Sequence, residues 1–195
     1  MLKIGITGGI GSGKSVVCRI FETCGAPVYD ADSAAKRLMQ EDSLLKEKII
    51  SCFGNIYDSS GLLLRSQLAE KVFGNAENLQ KLNSLVHPAV MADYTLWEDQ
   101  QTYTYVIRES AILFESKTNG GLDHVILVEA PESLRIKRII KRDQRTEKQI
   151  REIINNQMPD EKKKELADFV IINNDEVPLI PQVWSLHDKF VNGSN

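Results

Sequence analysis

The sequence predicts an α/β fold in which a parallel sheet is covered by helices on both faces. Short apolar, β-branched runs alternate with longer helical patterns, which is typical of parallel strands joined by crossover helices. The first run also leads directly into a glycine-rich loop and then a helical pattern. The strand candidates are Leu2–Thr7, Pro27–Tyr29, Thr102–Ile107, His124–Val128 and Phe169–Ile172.

One connection is far too long for a simple crossover between strands. It runs from about Ala31 to Gln101 and contains only helical patterns, whereas most connections in compact domains are short. We therefore expect a single domain, residues 1–195, with a helical insertion at approximately residues 31–101. Ligands of open α/β sheets bind outside the carboxyl ends of the strands, so this insertion is a candidate substrate-binding subdomain.

The glycine-rich loop carries the strongest functional signal. Residues 8–15 read GGIGSGKS and fit the P-loop pattern G-x-x-x-x-G-K-[ST]. The backbone N–H groups of such a loop and the start of its helix bind phosphate oxygens. Lys14 is expected to reach the β- and γ-phosphates, and the Ser15 hydroxyl to ligate Mg²⁺. A glycine-rich turn with a surface lysine would not explain the flanking strand and helix, so the loop predicts nucleoside triphosphate binding.

Two carboxylates, Asp30 and Asp32, follow the second strand candidate. The carboxyl end of a strand lies beside the P-loop in this architecture. Phosphoryl transfer to an alcohol needs a carboxylate that orients the hydroxyl and accepts its proton. Either aspartate could instead cap the helix that begins near Ser33. We expect one of them to cap this helix and the other to face the phosphates.

A basic helical segment, approximately residues 132–158, is a candidate lid. Its arginines recur at intervals of three and four residues and therefore share one helical face. Such a run is usually a solvated face. Because few acidic partners lie nearby, we expect the face to be largely unpaired and to act on the transferring phosphoryl group. The four arginines are Arg135, Arg138, Arg142 and Arg145.

Three further features are less decisive. Glu109 lies near the end of a strand candidate, where it could support Mg²⁺ or serve only as a helix cap or surface acid. Pro88 follows His87 and predicts a helix boundary, and a lone histidine is more often structural than catalytic. Residues 58–61, DSSG, match the D-x-x-G of GTPases, but no N-K-x-D motif follows, so we predict a turn.

Composition narrows the class of protein. The chain of 195 residues is 42% hydrophobic and has a formal net charge of −3, whereas general nucleic-acid binding usually needs a basic domain. No apolar run approaches the length of a membrane span. The N-terminus enters a strand candidate directly, without a signal peptide. We therefore expect a cytoplasmic enzyme with small-molecule substrates and neither nucleic-acid nor membrane partners.

In their order along the chain, the motifs resemble those of the dephospho-coenzyme A kinase family. The string TGGIGSGKS at residues 7–15, with Asp30-Ala31-Asp32 and His87-Pro88, is specific to this family among P-loop kinases. The resemblance covers nearly the whole chain. Further matching positions are Phe53-Gly54, Gly61 through Arg65, Leu113-Phe114-Glu115, Arg138, Arg142-Asp143, Gln157, Ala167-Asp168 and Asn173-Asn174.

The resemblance implies transfer of the ATP γ-phosphate, with Mg²⁺, to the ribose 3′-hydroxyl of dephospho-coenzyme A. It also implies a P-loop kinase core with a five-stranded parallel sheet, a lid and a helical substrate-binding domain. Asp32 is then the base, Arg142 the lid arginine, and Arg65 and His87 lie on the substrate side. The residues expected to bind ATP are Gly9, Gly11, Ser12, Gly13, Lys14, Ser15, Val16, Arg138, Arg142 and Asn174.

Four positions depart from the family pattern. Ala111 stands where the family often has a proline, which changes the local stiffness of the chain. Val16 replaces a usual threonine but keeps its backbone N–H, so phosphate binding is expected to survive. Glu109 replaces an aspartate, which leaves its metal role open, and Arg135 replaces a common glutamine. The alternatives are another small-molecule P-loop kinase, such as a nucleoside monophosphate kinase, and a nucleotide-dependent switch. His87-Pro88 and the stretch Gly61–Arg65 disfavour the first, and the absence of switch motifs disfavours the second.

Overall fold

The computed structural model describes residues 1–72, 74–143 and 145–193. The strands are β1 (Leu2–Thr7), β2 (Val28–Asp30), β3 (Tyr105–Glu109), β4 (His124–Glu129) and β5 (Phe169–Ile172). The helices are α1 (Lys14–Thr23), α2 (Ala31–Glu41), α3 (Ser43–Phe53), α4 (Arg65–Val72), α5 (Ala76–Glu98), α6 (Glu132–Asp143), α7 (Glu147–Asn155), α8 (Asp160–Leu166) and α9 (Leu179–Asn192).

The five strands form one parallel sheet in the order β2-β3-β1-β4-β5. This confirms the predicted α/β fold with a five-stranded parallel sheet. Three strands, β2, β3 and β4, end later than their apolar runs suggested, because ladder pairing continues past the last apolar residue. β2 therefore ends at Asp30 and β3 at Glu109, which pair with each other in register. Both carboxylates thus belong to the sheet edge itself.

The core of the sheet lies between β1 and the helices that cover it. Ile4, Ile6, Phe21, Ile107 and Ile126 are fully buried in one continuous cluster. Fully burying one such side chain stabilises the folded state by about 1.5–3 kcal/mol. Since β1 is central and its last residues are among the most buried, the loop that follows it starts from a rigid position.

The chain separates into two compact units, Met1–Asp30 with Gln101–Asn195, and Ala31–Gln100. The second unit consists of α2 to α5 with one isolated antiparallel bridge. Its long helix α5 buries Leu82, Val86 and Val90, which recur every four residues along one face. The Asn75 side chain caps its start by accepting from the Asn78 N–H at 2.9 Å.

Helix α5 continues through Pro88, so the predicted helix boundary after His87 is wrong. A proline inside a helix removes one backbone hydrogen bond and costs about 3 kcal/mol. Burial of Val86 and Val90, on either side of the proline, compensates through packing within this unit. The turn predicted at residues 58–61 is confirmed, because Asp58 Oδ1 accepts from the Ser60 N–H at 2.8 Å.

The predicted lid segment, residues 132–158, is not one continuous helix. It contains α6 and α7, which ends at Asn155. Thr146 begins α7 with a capping box, in which its hydroxyl and the Gln149 side chain bond reciprocally to backbone N–H groups. Among the residues that the structure describes, no helix has the length and apolar character needed to cross a membrane.

Candidate nucleotide site

The glycine-rich loop joins β1 to α1 and spans Gly8 to Gly13. Gly13 adopts φ 94° just before α1 begins at Lys14. A side chain there would be strained by the left-handed backbone and would also overlap the Asn173 Nδ2. This amide lies against the loop because it donates to the Ser12 carbonyl at 2.7 Å. Glycine at position 13 is therefore required by both backbone geometry and packing.

Several backbone N–H groups of the loop are available for a ligand. The Ser12 N–H donates to Gly9 O at 3.1 Å, and the Val16 N–H donates to Gly13 O at 3.0 Å. Helix α1 has ten residues, and its N-terminal end is partially positive. Within the described part of the chain, the structure gives no acceptor for four other N–H groups of the loop and of the first turn of this helix. These belong to Gly11, Gly13, Lys14 and Ser15. Together they form an anion-binding cradle.

Lys14 lies along the edge of this cradle. Its Nζ donates to Gly8 O at 3.1 Å and lies 3.7 Å from Glu109 Oε1. Glu109 is only 8% exposed, and it sits at the end of β3 between Ile6 on β1 and Asp30 on β2. The lysine is thus held over the loop by a carboxylate that the sheet fixes in place.

A buried thiol near this edge of the sheet has a shifted pKa. Cys18 lies one helical turn after Lys14 on α1 and is buried. Burial is the main cause that raises the pKa of its thiol, and the Glu109 carboxylate raises it further. Cys18 is therefore an uncharged packing residue at neutral pH.

Magnesium would fit this edge only together with phosphate. The described residues contain no group of three or more His, Cys, Asp or Glu that could hold a metal ion. Mg²⁺, however, is usually bound through one or two protein oxygens plus substrate phosphates and water. The Ser15 hydroxyl, exposed on the first turn of α1, and the carboxylates of Asp30 and Glu109 suit that role.

The expected unpaired arginine face is wrong. Arg135 lies 3.2 Å from Asp160, and Arg138 2.5 Å from Asp175. Arg142 binds its neighbour Asp143, which also lies 3.9 Å from Arg145 beyond the end of α6. Most partners come from later in the chain, so the local charge count of residues 132–158 could not reveal them.

Of the four arginines, two contact the P-loop. Arg138 donates to the Asn173 side chain at 3.1 Å and approaches Gly11 O at 3.5 Å. Arg135 is 4% exposed, and its guanidinium packs where a side chain at position 9 would lie. Arg142 is different, because its side chain is 62% exposed and, among the residues that the structure describes, is bound by Asp143 alone.

The remaining predicted residues occupy separate places. Asn174 Oδ1 accepts from the Val177 N–H at 2.9 Å and shapes the loop before α9. Asp32 lies in the first turn of α2, which begins at Ala31 rather than near Ser33. Arg65 is the exposed first residue of α4, and His87 is half-buried within α5, where burial lowers its pKa.

Sequence reasoning missed several residues that hold the loop. Asn173 was matched only as part of a family string, yet it is buried and bonds Ser12. Asp160 was not considered, although it pairs with Arg135. Spacing signals could not reveal either contact, since each joins residues far apart in sequence.

A cavity of about 560 Å³ lies beside the loop's supporting residues. Its wall includes Glu129 and Pro131 from the end of β4 and the residues after it, Arg135 from α6, Asp160 from α8 and Asn174. It therefore opens between the carboxyl ends of the last two strands and the lid segment, at the edge where α/β sheets bind ligands.

The sequence of the chain matches a known protein family. A dephospho-CoA kinase family model matches residues 2–178. The dephospho-CoA kinase of Bacteroides fragilis strain YCH46 is 40% identical over 186 residues, covering 95% of this chain and 91% of that protein. The enzyme of Coxiella burnetii is 39% identical over 194 residues, covering 98% of both.

Solved structures give the same result. A Thermus thermophilus structure, TT1252, superposes with a TM-score of 0.85 at 30% identity, covering 100% of this chain and 98% of that one. Dephospho-CoA kinase from Campylobacter jejuni gives a TM-score of 0.69 at 27% identity, covering 98% of each chain. A shikimate kinase from Acinetobacter baumannii, at 0.52 and 16%, shares the fold. The chain belongs to the dephospho-CoA kinase family.

Proposed function

We propose that this chain transfers the γ-phosphate of ATP to the ribose 3′-hydroxyl of dephospho-CoA, giving CoA and ADP. The observation that carries the proposal is the P-loop cradle, whose free N–H groups surround a lysine held by Glu109. Membership of the dephospho-CoA kinase family supplies the acceptor.

Transfer proceeds by attack of the 3′-oxygen on the γ-phosphorus as the bond to the β,γ-bridging oxygen breaks. Lys14 neutralises charge that develops on the β- and γ-oxygens. Asp32 accepts the hydroxyl proton. The Ser15 hydroxyl and the Glu109 carboxylate would hold Mg²⁺, which would supply further charge neutralisation.

Arginine side chains complete the phosphate site. Arg138 already contacts the P-loop at Gly11 and serves ATP binding. Arg142 acts after it leaves Asp143, when the lid closes over the γ-phosphate, and so stabilises the transition state more than the bound substrate. Asn174 contributes to the adenine side through the loop that it shapes.

The inserted unit, residues 31–100, binds the acceptor. Arg65 is exposed at the start of α4, where it can meet a phosphate of dephospho-CoA. His87 contributes from α5 as a half-buried imidazole that burial keeps neutral at physiological pH.

A coupled ADP-release assay tests the function. Purified protein with ATP and Mg²⁺ should release ADP rapidly with dephospho-CoA and slowly with no acceptor. A 3′-deoxy analogue of dephospho-CoA is the matched control, because it binds alike but offers no nucleophile. Turnover with nucleoside monophosphates instead would favour that kinase class, and slow hydrolysis indifferent to every acceptor would favour a switch.

A further inference from the structure

The P-loop is bonded directly to the end of the lid segment. Gln157 Oε1 accepts from the Ile10 N–H at 2.8 Å, although the two residues lie 147 positions apart. Ile10 stands in the middle of the loop, between Gly9 and Gly11. The Gln157 side chain thus supports a loop whose glycines give its backbone conformational freedom.

The segment that carries Gln157 is itself fixed by a buried ion pair to the connection between β3 and β4. Lys163 Nζ lies 2.8 Å from Glu115 Oε1 and is completely buried. The same Glu115 oxygen accepts from the Met158 N–H at 2.9 Å, and Lys163 also donates to Ala111 O at 3.3 Å. A buried ammonium is very costly to leave unpaired, so residues 157–163 cannot readily leave this position.

A second contact joins the segment to the loop one residue earlier. Asp160 pairs with Arg135, and the Arg135 guanidinium packs against Gly9. Two consecutive loop residues are therefore held by residues 157–160. Gly9 packs against Arg135, which pairs with Asp160, and Ile10 bonds directly to Gln157. The contacts involve backbone atoms of the loop, so they act on its conformation.

We propose that Gln157 is a positioning residue for nucleotide phosphate binding and, given the function proposed above, for phosphoryl transfer. It fixes the Ile10 peptide, and this sets the direction of the Gly11 and Gly13 N–H groups that face the phosphates. Glu115 and Lys163 hold Gln157 in reach. Residues 157–163 and the phosphate cradle are thereby one mechanical unit.

Gln157→Ala removes the side-chain oxygen that accepts the hydrogen bond from the Ile10 N–H. The variant tests this proposal in experiments that need no phosphoryl acceptor. Loss of one such bond should make exchange of the Ile10 amide about fivefold faster, measured by hydrogen exchange of the full chain. ADP affinity should fall with it, while the melting temperature changes little. Gln40→Ala is the matched control, because Gln40 Oε1 accepts from the Leu63 N–H at 2.9 Å within the inserted unit.

Gln157→Glu separates the effect of hydrogen-bond geometry from the effect of charge. It also replaces the alanine variant as the test if that variant folds poorly. It retains an acceptor oxygen, so protection of the Ile10 amide should return, whereas the added charge should still weaken ADP binding. Steady-state kinetics of Gln157→Ala should then combine a raised KM for ATP with a lower kcat. Unchanged Ile10 exchange and ADP affinity in Gln157→Ala would overturn the proposal.

The two proposals fail in different ways. If wild-type protein does not phosphorylate dephospho-CoA, the acceptor assignment is wrong, but ADP affinity and amide exchange still report on Gln157. If wild-type turnover is normal and Gln157→Ala matches Gln40→Ala in both readouts, Gln157 has no positioning role.

Discussion

The Nζ of Lys14 lies 3.7 Å from Oε1 of Glu109, and Glu109 ends β3 in register with Ile6 and Asp30. The Glu109 carboxylate gives the Lys14 ammonium a defined position above the loop. The pair is nearly buried on both sides, so its mutual attraction is less screened than that of a surface pair. Lys14 is therefore held at the sheet edge, where the function proposed above makes it a phosphate ligand.

Lys14→Ala should abolish most turnover while leaving the protein folded. It removes the charge that neutralises the β- and γ-oxygens as the bond breaks. It also leaves Glu109 without this partner, so we expect a small loss of stability, on the order of 1 kcal/mol. Lys14→Ala/Glu109→Gln should recover that stability in thermal unfolding without recovering kcat. Near-normal turnover of Lys14→Ala would contradict the P-loop assignment.

Asp32→Asn should lower kcat by roughly two or more orders of magnitude, the range of general-base catalysis, with ATP affinity little changed. Asparagine keeps the size and most hydrogen bonding of aspartate but cannot accept the proton. Asp30→Asn is the matched variant, because Asp30 ends β2 and Asp32 lies two residues later in α2. If Asp30→Asn is crippling and Asp32→Asn mild, the two roles are reversed.

More of the fold than of the site could be predicted from the sequence. Short apolar, β-branched runs and the strand–loop–helix context identified β1, β5 and the P-loop, because these signals are local. The pairing of Arg135 with Asp160 and of Asn173 with Ser12 joins distant residues, so no periodicity encodes it. The helix boundary predicted at Pro88 is wrong for a related reason, since buried neighbours along α5 outweigh the local preference of proline.

His87 should make the stability of the protein fall as the pH drops below about 6.5, its ordinary pKa. Burial lowers the pKa of His87 in the folded protein, so below its ordinary value the unfolded chain binds more protons than the folded one. The stabilising effect of the neutral imidazole is complete above that pH and is lost as the pH falls toward the folded pKa. Urea unfolding at several pH values should give a smaller slope for His87→Gln, and an identical slope would contradict this origin.

Arg142→Ala should lower kcat more than it raises the dissociation constant for ATP measured without acceptor. In this structure Arg142 donates to Asp143 at 2.6 and 2.8 Å and is 62% exposed. It contributes little to the resting state, because an exposed ion pair is worth at most about 1 kcal/mol. Its effect should therefore appear in the transition state, once the lid closes.

Two further variants separate the role of Arg142 from that of a solvated arginine. Arg142→Lys keeps the charge but loses the planar two-pronged geometry, so it should recover only part of the lost kcat. Arg145→Ala is the matched control, since Arg145 also lies beside Asp143 but at 3.9 Å and beyond α6. It should leave kcat near the wild-type value. Full activity of Arg142→Ala together with a large loss in Arg145→Ala would move the phosphate-clamping role to Arg145.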